Sequence, residues 1–401
     1  MRFLLINQPM FNRGDESAHK ALVYALLQHF PDCSVEVLFA GRPQDAVEEC
    51  RVNDARVEYT NLDIDRRYYK SSISNLKHWL RILWYFNPTV RKIVRRYKSA
   101  DWIISSPGDR SLGSRYDWDH LFFVSLAEFV GCKVAYYGRS IGPFPEDNPL
   151  HMRFNFLARR ALRKSAFVSL RDPESARTAD DLGLDYCRTL DTAFLYTPMV
   201  QIPAEVRSLT GDKYIVMVPN RLNRLFYAEL CRRVLESFPG HKVVMLPQVF
   251  CSADPSASDY AFFKEVAAEV ADPRVVVLPD TLISEYHQAI IADSVCVVGA
   301  RYHSIVFAIN NNVPFVTLNY EERILGMLET LGKQDRCVDI TLALDSEALT
   351  FESQVALARI MEKMKTLVPD DGARRLAKAR TAECFEKFAA LAGGSKKSGK
   401  K

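Results

Sequence analysis

The chain has 401 residues, 48% of them hydrophobic and 25% charged, enough for two domains of ordinary size with sizeable cores. Its net charge of +4 is mildly basic, which argues against a dedicated nucleic-acid binder, and no RNA- or DNA-binding module is recognisable. Nine cysteines are scattered without a Cys-x-x-Cys pair, a pattern that predicts reduced thiols in the cytoplasm and no disulfide framework; the first residues turn polar too soon for a signal peptide, and no apolar run approaches the roughly 18 residues a membrane span needs.

Residues 3–6 read as a first strand and 16–29 as a helix with apolar residues at helical spacing. Between them, Asn12, Arg13, Gly14 and Asp15 fall at the carboxyl end of the strand. Asp15 is placed to cap the helix or to contact a ligand at the strand exit. No Gly-x-Gly-x-x-Gly follows this strand, so a dinucleotide is disfavoured. Residues 34–39 give a second strand.

The stretch from Arg66 to Lys98 holds ten Lys or Arg residues and no acid, interleaved with Trp79, Trp84, Tyr85 and Phe86. It reads as a helical pair with a basic outer face, or as a surface that touches anionic lipid headgroups, since aromatics and bases together favour that interface. Strands follow at 101–105, 133–137 and 167–171, with a turn at 106–109 and helices over 152–164 and from Pro173. Asp172 reads as the cap of that last helix.

Residues 197–213 carry prolines without a clear period and read as a linker. Strand–helix alternation resumes beyond it, with strands at 214–218, 242–246, 275–278, 295–298 and 315–318. Residues 252–258 read as a small-residue loop. The exit of the 214–218 strand carries Arg221 and Arg224, either of which can grip a phosphate, with Arg221 nearer the strand. The densest chemistry lies at 299–304, where a strand turns into a helix through Arg301, Tyr302 and His303. Ligands of open α/β sheets sit outside the carboxyl ends of strands, and a helix start there favours anions. Arg301 can clamp a carboxylate or phosphate in two bonds, and His303 can donate a proton near neutral pH. Arg-x-His at a helix start can also be a structural turn. Residues 351–391 read as two helices, the second crossing back to the first domain by analogy with other two-domain chains. The tail, 392–401, reads as disordered and basic.

Several segments together resemble the polysaccharide pyruvyl transferase family. They are Asn12-Arg13-Gly14-Asp15-Glu16, with Phe11 where the family has glycine; Gly138-Arg139-Ser140-Ile141-Gly142-Pro143-Phe144; Arg171-Asp172-Pro173; Leu190-Asp191-Thr192-Ala193-Phe194; and Arg301-x-His303 followed by Phe307-Ala308 and Tyr320. The resemblance implies two Rossmann-like α/β domains facing a cleft in the GT-B manner, with an acceptor domain over 1–196, a linker over 197–213 and a donor domain over 214–391. It implies transfer of pyruvate from phosphoenolpyruvate to two hydroxyls of a sugar, expected to be linked to a polyprenyl diphosphate. No cofactor is expected, and no metal: His287 and His303 lack ligand spacing. On that reading His303 is the acid and Arg301 an anion clamp; Arg221, Arg224, Gln248, Tyr320 and Arg323 face the donor; Asn12, Asp15, Asp109 and Arg139 face the acceptor. The expected location is the cytoplasm, with peripheral contact to the membrane's inner face through the Arg66–Lys98 stretch and the tail. The alternatives are a GT-B glycosyltransferase using a nucleotide sugar and a non-catalytic glycan-binding protein on the same fold.

Overall fold

The computed structural model describes residues 1–9, 11–65, 67–74, 86–250, 258–320, 322–345 and 348–394. Trp79, Trp84 and Tyr85 of the basic stretch, most of the expected loop at 252–258 and most of the basic tail lie outside the described residues. The chain falls into two compact units. One holds residues 1–9, 18–195 and 379–394, the other 11–17 and 196–378. Residues 11–17 and 379–394 thus group across the boundaries expected from the sequence.

The first unit runs β1 (Arg2–Ile6), α1 (Arg13–His29), β2 (Ser34–Ala40), α2 (Gln44–Glu49), β3 (Val57–Leu62), α3 (Arg67–Ser74), α4 (Pro88–Ser99), β4 (Trp102–Ser105), β5 (Gly108–Leu112), α5 (Trp118–Val130), β6 (Val134–Ile141), α6 (Pro149–Lys164), β7 (Phe167–Leu170), α7 (Pro173–Asp181) and β8 (Cys187–Arg188). Its strands are parallel in the order β3-β2-β1-β4-β6-β7-β8, with β5 beside β6. Strand alternation sorts the core onto two faces. Leu4, Ile6 and Ile103 pack with Leu121, Phe122 and Leu126 of α5. Phe3, Leu5, Trp102 and Ile104 pack with Phe385 and Phe388, which come from the last helix. That helix crosses back to the first unit because its end carries the aromatics that close this face. Of the expected turn at 106–109, Ser106 and Pro107 connect β4 to β5, and Gly108 and Asp109 already belong to β5.

The second unit runs α8 (Ala204–Thr210), β9 (Tyr214–Val218), α9 (Arg224–Ser237), β10 (Lys242–Met245), α10 (Asp259–Val270), β11 (Val275–Val277), α11 (Ser284–Ala292), β12 (Val297–Gly299), α12 (Tyr302–Asn310), β13 (Phe315–Asn319), α13 (Glu322–Leu331), β14 (Cys337–Asp339), α14 (Thr341–Leu344), α15 (Phe351–Lys365) and α16 (Asp371–Gly394), the end of α16 belonging to the first unit. The six strands are all parallel in the order β11-β10-β9-β12-β13-β14. This is the doubly wound arrangement that reverses direction between its first and fourth strands, here β9 and β12, and leaves a crevice outside their carboxyl ends. The expected linker is partly helical, since α8 forms directly after Pro203, whose fixed φ suits a helix start. No helix among the described residues is long and apolar enough to cross a membrane.

Candidate anion site at the strand exits of the second unit

The exits of β9, β12 and β13 border one cavity of about 510 Å³, lined by Asn220, Arg221, Leu222, Ala261, Phe262, Glu265, Arg301 and Tyr320. The local sequence explains which arginine of the β9 exit loop faces it. Asn223 caps α9, its Oδ1 accepting from the Phe226 N–H at 2.9 Å. Arg224 is therefore already helical and reaches Glu269, at 3.7 Å. Arg221, earlier in the loop, lines the cavity.

Arg301 sits between β12 and α12, and its guanidinium pairs with Asp259, a carboxylate with no solvent exposure. The same Asp259 Oδ1 lies 3.7 Å from Arg221 Nε. Its Oδ2 accepts from the backbone N–H groups of Val249, at 2.9 Å, and Gln248, at 3.2 Å. One buried carboxylate, fixed by two backbone donors, thus lies beside both arginines, and Glu265 is a second acid on the cavity wall. Burial opposes the charge on Arg301, but the Asp259 carboxylate together with Tyr320 and Tyr227 outweighs it, and the guanidinium pKa is raised. Asn220 adds a polar contact at the wall. Its Oδ1 accepts from the Tyr227 hydroxyl at 2.9 Å, while its buried Nδ2 has no hydrogen-bond partner among the described residues. The site therefore offers two guanidinium groups, an amide donor and a tyrosine.

His303 is placed differently. It is the second residue of α12, is 6% exposed, and is not among the residues lining the cavity. Arg301 precedes α12 and His303 lies two positions on, roughly 200° round at about 100° per residue, so the clamp and the proton donor, close in sequence, diverge. The His303 ring lies on the backbone of Gly14: a Cβ there would fall 1.8 Å from His303 Cγ. The two short motifs Asn-x-Gly-Asp-Glu and Arg-x-His therefore explain one another, because only glycine leaves room for the imidazole.

Residues 11–17 are tied down firmly. Arg13 is fully buried; its guanidinium meets Glu16 at 3.0 Å and the Asp280 carbonyl at 2.6 Å, and it lies over the Phe250 ring at 3.9 Å. Glu16 accepts from the Ser284 N–H and hydroxyl at 3.1 and 3.0 Å. Backbone bonds from Arg13 N to Gln248 O and from Phe250 N to Phe11 O complete the seam. Phe11 has φ 66°, the left-handed region where glycine is unstrained. The departure from glycine at this position is accommodated by packing of Phe11 against Phe250. The capping role expected of Asp15 falls to Asn12, whose Oδ1 accepts from Gly14 N–H at 2.8 Å, because α1 begins at Arg13. Asp15 lies in the first turn and is half-buried.

The remaining candidates divide clearly. Tyr320 lines the cavity. Gln248 is buried, and its main chain joins Arg13 and Asp259. Arg323, in the first turn of α13, is half-buried and not a lining residue. In the first unit, Asp109 pairs with Arg115 at 2.5 Å. Arg139 was expected to face an acceptor. Instead it is 1% exposed, and its guanidinium donates to the carbonyls of Asn7, Ser106 and Asp109 and to the Ser111 hydroxyl. It stitches strand exits together within that unit. Asp172 caps α7 as the sequence predicts, accepting from Ser175 N–H at 2.8 Å. Sequence reasoning missed Asp259 and Asn220. Asn220 was within reach of it, being in the same exit loop as Arg221, whereas the pairing of Asp259 with Arg301 spans 42 residues and leaves no local signal.

Two doubly wound parallel sheets in one chain define a protein of the GT-B type. Solved structures of similar fold include UDP-GlcNAc 2-epimerase from Methanocaldococcus jannaschii, with 11% identity over 97% of this chain and 100% of the other and a TM-score of 0.57. A UGT transferase from Siraitia grosvenorii in complex with UDP is also similar, with 13% identity over 98% and 99% and a TM-score of 0.53. Within that class, the chain belongs to the polysaccharide pyruvyl transferase family, whose model matches residues 12–322. The match takes in Asn12, Gly14, Asp259, Arg301 and His303.

Proposed function

We propose that this transferase moves pyruvate from phosphoenolpyruvate to two hydroxyls of one sugar, forming a cyclic ketal on a polyprenyl-diphosphate-linked precursor of a surface glycan. The observation that carries the reading is the convergence of Arg221 and Arg301 on one cavity at the β9/β12 reversal, beside a shared buried carboxylate. A small donor with both a phosphate and a carboxylate needs such a pair, and each charged hydrogen bond contributes about 1.5–3 kcal/mol.

The chemistry balances with the groups at hand. Protonation of the donor's methylene carbon makes it a methyl group and leaves an oxocarbenium-like carbon. One sugar hydroxyl adds there and the C–O bond to phosphate breaks. The second hydroxyl then closes the ring. Of the two hydroxyl protons, one replaces that given to the methyl group and the other leaves with phosphate. His303 is the proposed acid, a role worth about 10²–10⁴ in rate. Its ring lies on Gly14 at the start of α1, so the proposal requires delivery of the proton on the side of residues 11–17. Asp15, in the same turn, is the proposed acceptor contact. Peripheral association with a membrane would bring such a lipid-linked acceptor to the enzyme.

The test is mass spectrometry of lipid-linked sugars incubated with phosphoenolpyruvate. The expected result is a product heavier by one pyruvate less one water, with one phosphate released per product. A nucleotide-sugar glycosyltransferase is the competing reading, favoured by the aromatic wall of Phe262 and Tyr320 in a fold shared with a UDP-bound transferase. It predicts thermal stabilisation by UDP and none by phosphoenolpyruvate.

A further inference from the structure

Helices α4 and α6 of the first unit contain no acidic residue. Helix α4 carries Arg91, Lys92, Arg95, Arg96 and Lys98, and α6 carries Arg153, Arg159, Arg160, Arg163 and Lys164. Both pack on α5. Some of these charges are met by acids elsewhere: Arg96 by Glu36, Arg159 by Glu146 and Arg160 by Glu128. The exposed positions of α4 are nevertheless all basic or small: Arg91, Lys92, Arg95, Lys98 and Ser99, after Pro88 at its start.

Helix α6 is unusual on its outer side. Its inner face is buried through Phe154, Leu157, Ala158, Ala161 and Leu162, as a core helix requires. Residues 149, 152, 156, 160 and 163, at steps of three and four, form the outward stripe. In it Met152 is 52% and Phe156 62% exposed, and they are followed by Arg160, Arg163 and Lys164. Leu150 and, at the end of the adjoining α5, Phe129 are each 37% exposed. Single exposed apolar residues need no explanation. An apolar pair one turn apart, ending in a basic turn on an acid-free helix, is the pattern of an element that lies in a membrane interface.

We propose that the outward stripe of α6, supported by the bases of α4, seats the first unit on an anionic lipid surface, with Met152 and Phe156 entering the headgroup layer. Charge selects this occupant. A second copy of the same face would bring cations against cations, and a nucleic-acid backbone would satisfy the bases but leave Met152 and Phe156 in water. The inference stands on this surface alone and does not depend on the transfer chemistry, since vesicle binding requires no turnover.

The test is co-sedimentation of the full chain with vesicles of phosphatidylglycerol and phosphatidylcholine, against vesicles of phosphatidylcholine alone. Binding is expected to the anionic vesicles only and to weaken in high salt. The paired substitution Met152→Ser, Phe156→Ser should lower the partition coefficient about tenfold without shifting the unfolding temperature. Arg163→Glu with Lys164→Glu should lower it severalfold and provides the test should the first pair disturb folding. Equal binding to neutral vesicles, unchanged binding by both paired variants, or tighter binding to a duplex oligonucleotide than to anionic vesicles would overturn the proposal.

Discussion

The two units share the central order of a doubly wound sheet but use their polar strand exits in opposite ways. In the first unit the charged motif residues satisfy one another. Arg171 pairs with fully buried Asp191 at 2.7 Å; the hydroxyls of Ser140 and Ser175 both donate to Asp172, at 2.5 and 2.8 Å; Arg139 is bound to three carbonyls and a hydroxyl. In the second unit two arginines share one carboxylate at the wall of an open cavity. A family motif is therefore no guide by itself to chemistry. Closed networks fix a scaffold, whereas charged side chains at the wall of a cavity can meet a ligand.

The largest effect expected is on turnover. His303→Gln should cut the rate of ketal formation about 10²–10⁴-fold, read by product mass spectrometry, with donor affinity nearly unchanged. A variant with full activity would remove the histidine from the mechanism. Arg171→Ala in the first unit should instead cost about 3–5 kcal/mol of stability, because it strands the Asp191 carboxylate in the interior; urea unfolding reads this, and replacing both partners with apolar residues should recover much of it. Arg221→Ala inverts the pattern. Its side chain is 35% exposed and Asp259 keeps Arg301, so stability should change by less than about 1 kcal/mol. Donor affinity should fall by about 1.5–3 kcal/mol, roughly 10- to 150-fold. If the two arginine variants behaved alike, the distinction between the units would be lost.

Gly14→Ala probes the contact between residues 11–17 and His303. The added carbon has no space beside the ring, so a loss of about 1–3 kcal/mol is expected, with turnover reduced as the imidazole is displaced. A graded effect should come with acid, and it should not distinguish the units. Burial, helped by Lys20, lowers the His19 pKa to about 3. Burial also lowers His120, with Arg139 and Arg42 contributing, and His287, with Arg13 contributing, well below the usual range. Each takes up a proton in the unfolded chain below about pH 6.5 but not in the folded one. Stability is then full above pH 6.5 and declines as the pH falls toward 3, by up to about 1.4 kcal/mol per pH unit for each histidine. Urea midpoints measured from pH 7 to 5 check the sign; a flat or rising trend would contradict it.

Much of this was legible in the sequence because it is local. The short β-branched runs at 214–218, 242–246 and 315–318 are strands, Asp172 is a cap, and Arg221 precedes Arg224 by the three residues that separate loop from helix. What escaped is non-local or lacks contrast. Helix α5 has no polar stripe, with Leu121, Phe122 and Leu126 all fully buried, so periodicity does not mark it. Arg139 looks like an anion ligand until its carbonyl acceptors, more than 25 residues away, are known. Helix α8 is only seven residues long, too short to establish a period.

The cavity at the β9, β12 and β13 exits is proposed to bind phosphoenolpyruvate through Arg221 and Arg301. Calorimetric titration of phosphoenolpyruvate into the full chain and into Arg221→Ala tests it directly. Saturable binding is expected to the first, weakened at least tenfold in the second, with no competition from UDP. Binding of equal strength in both, or displacement of the donor by UDP, would contradict it.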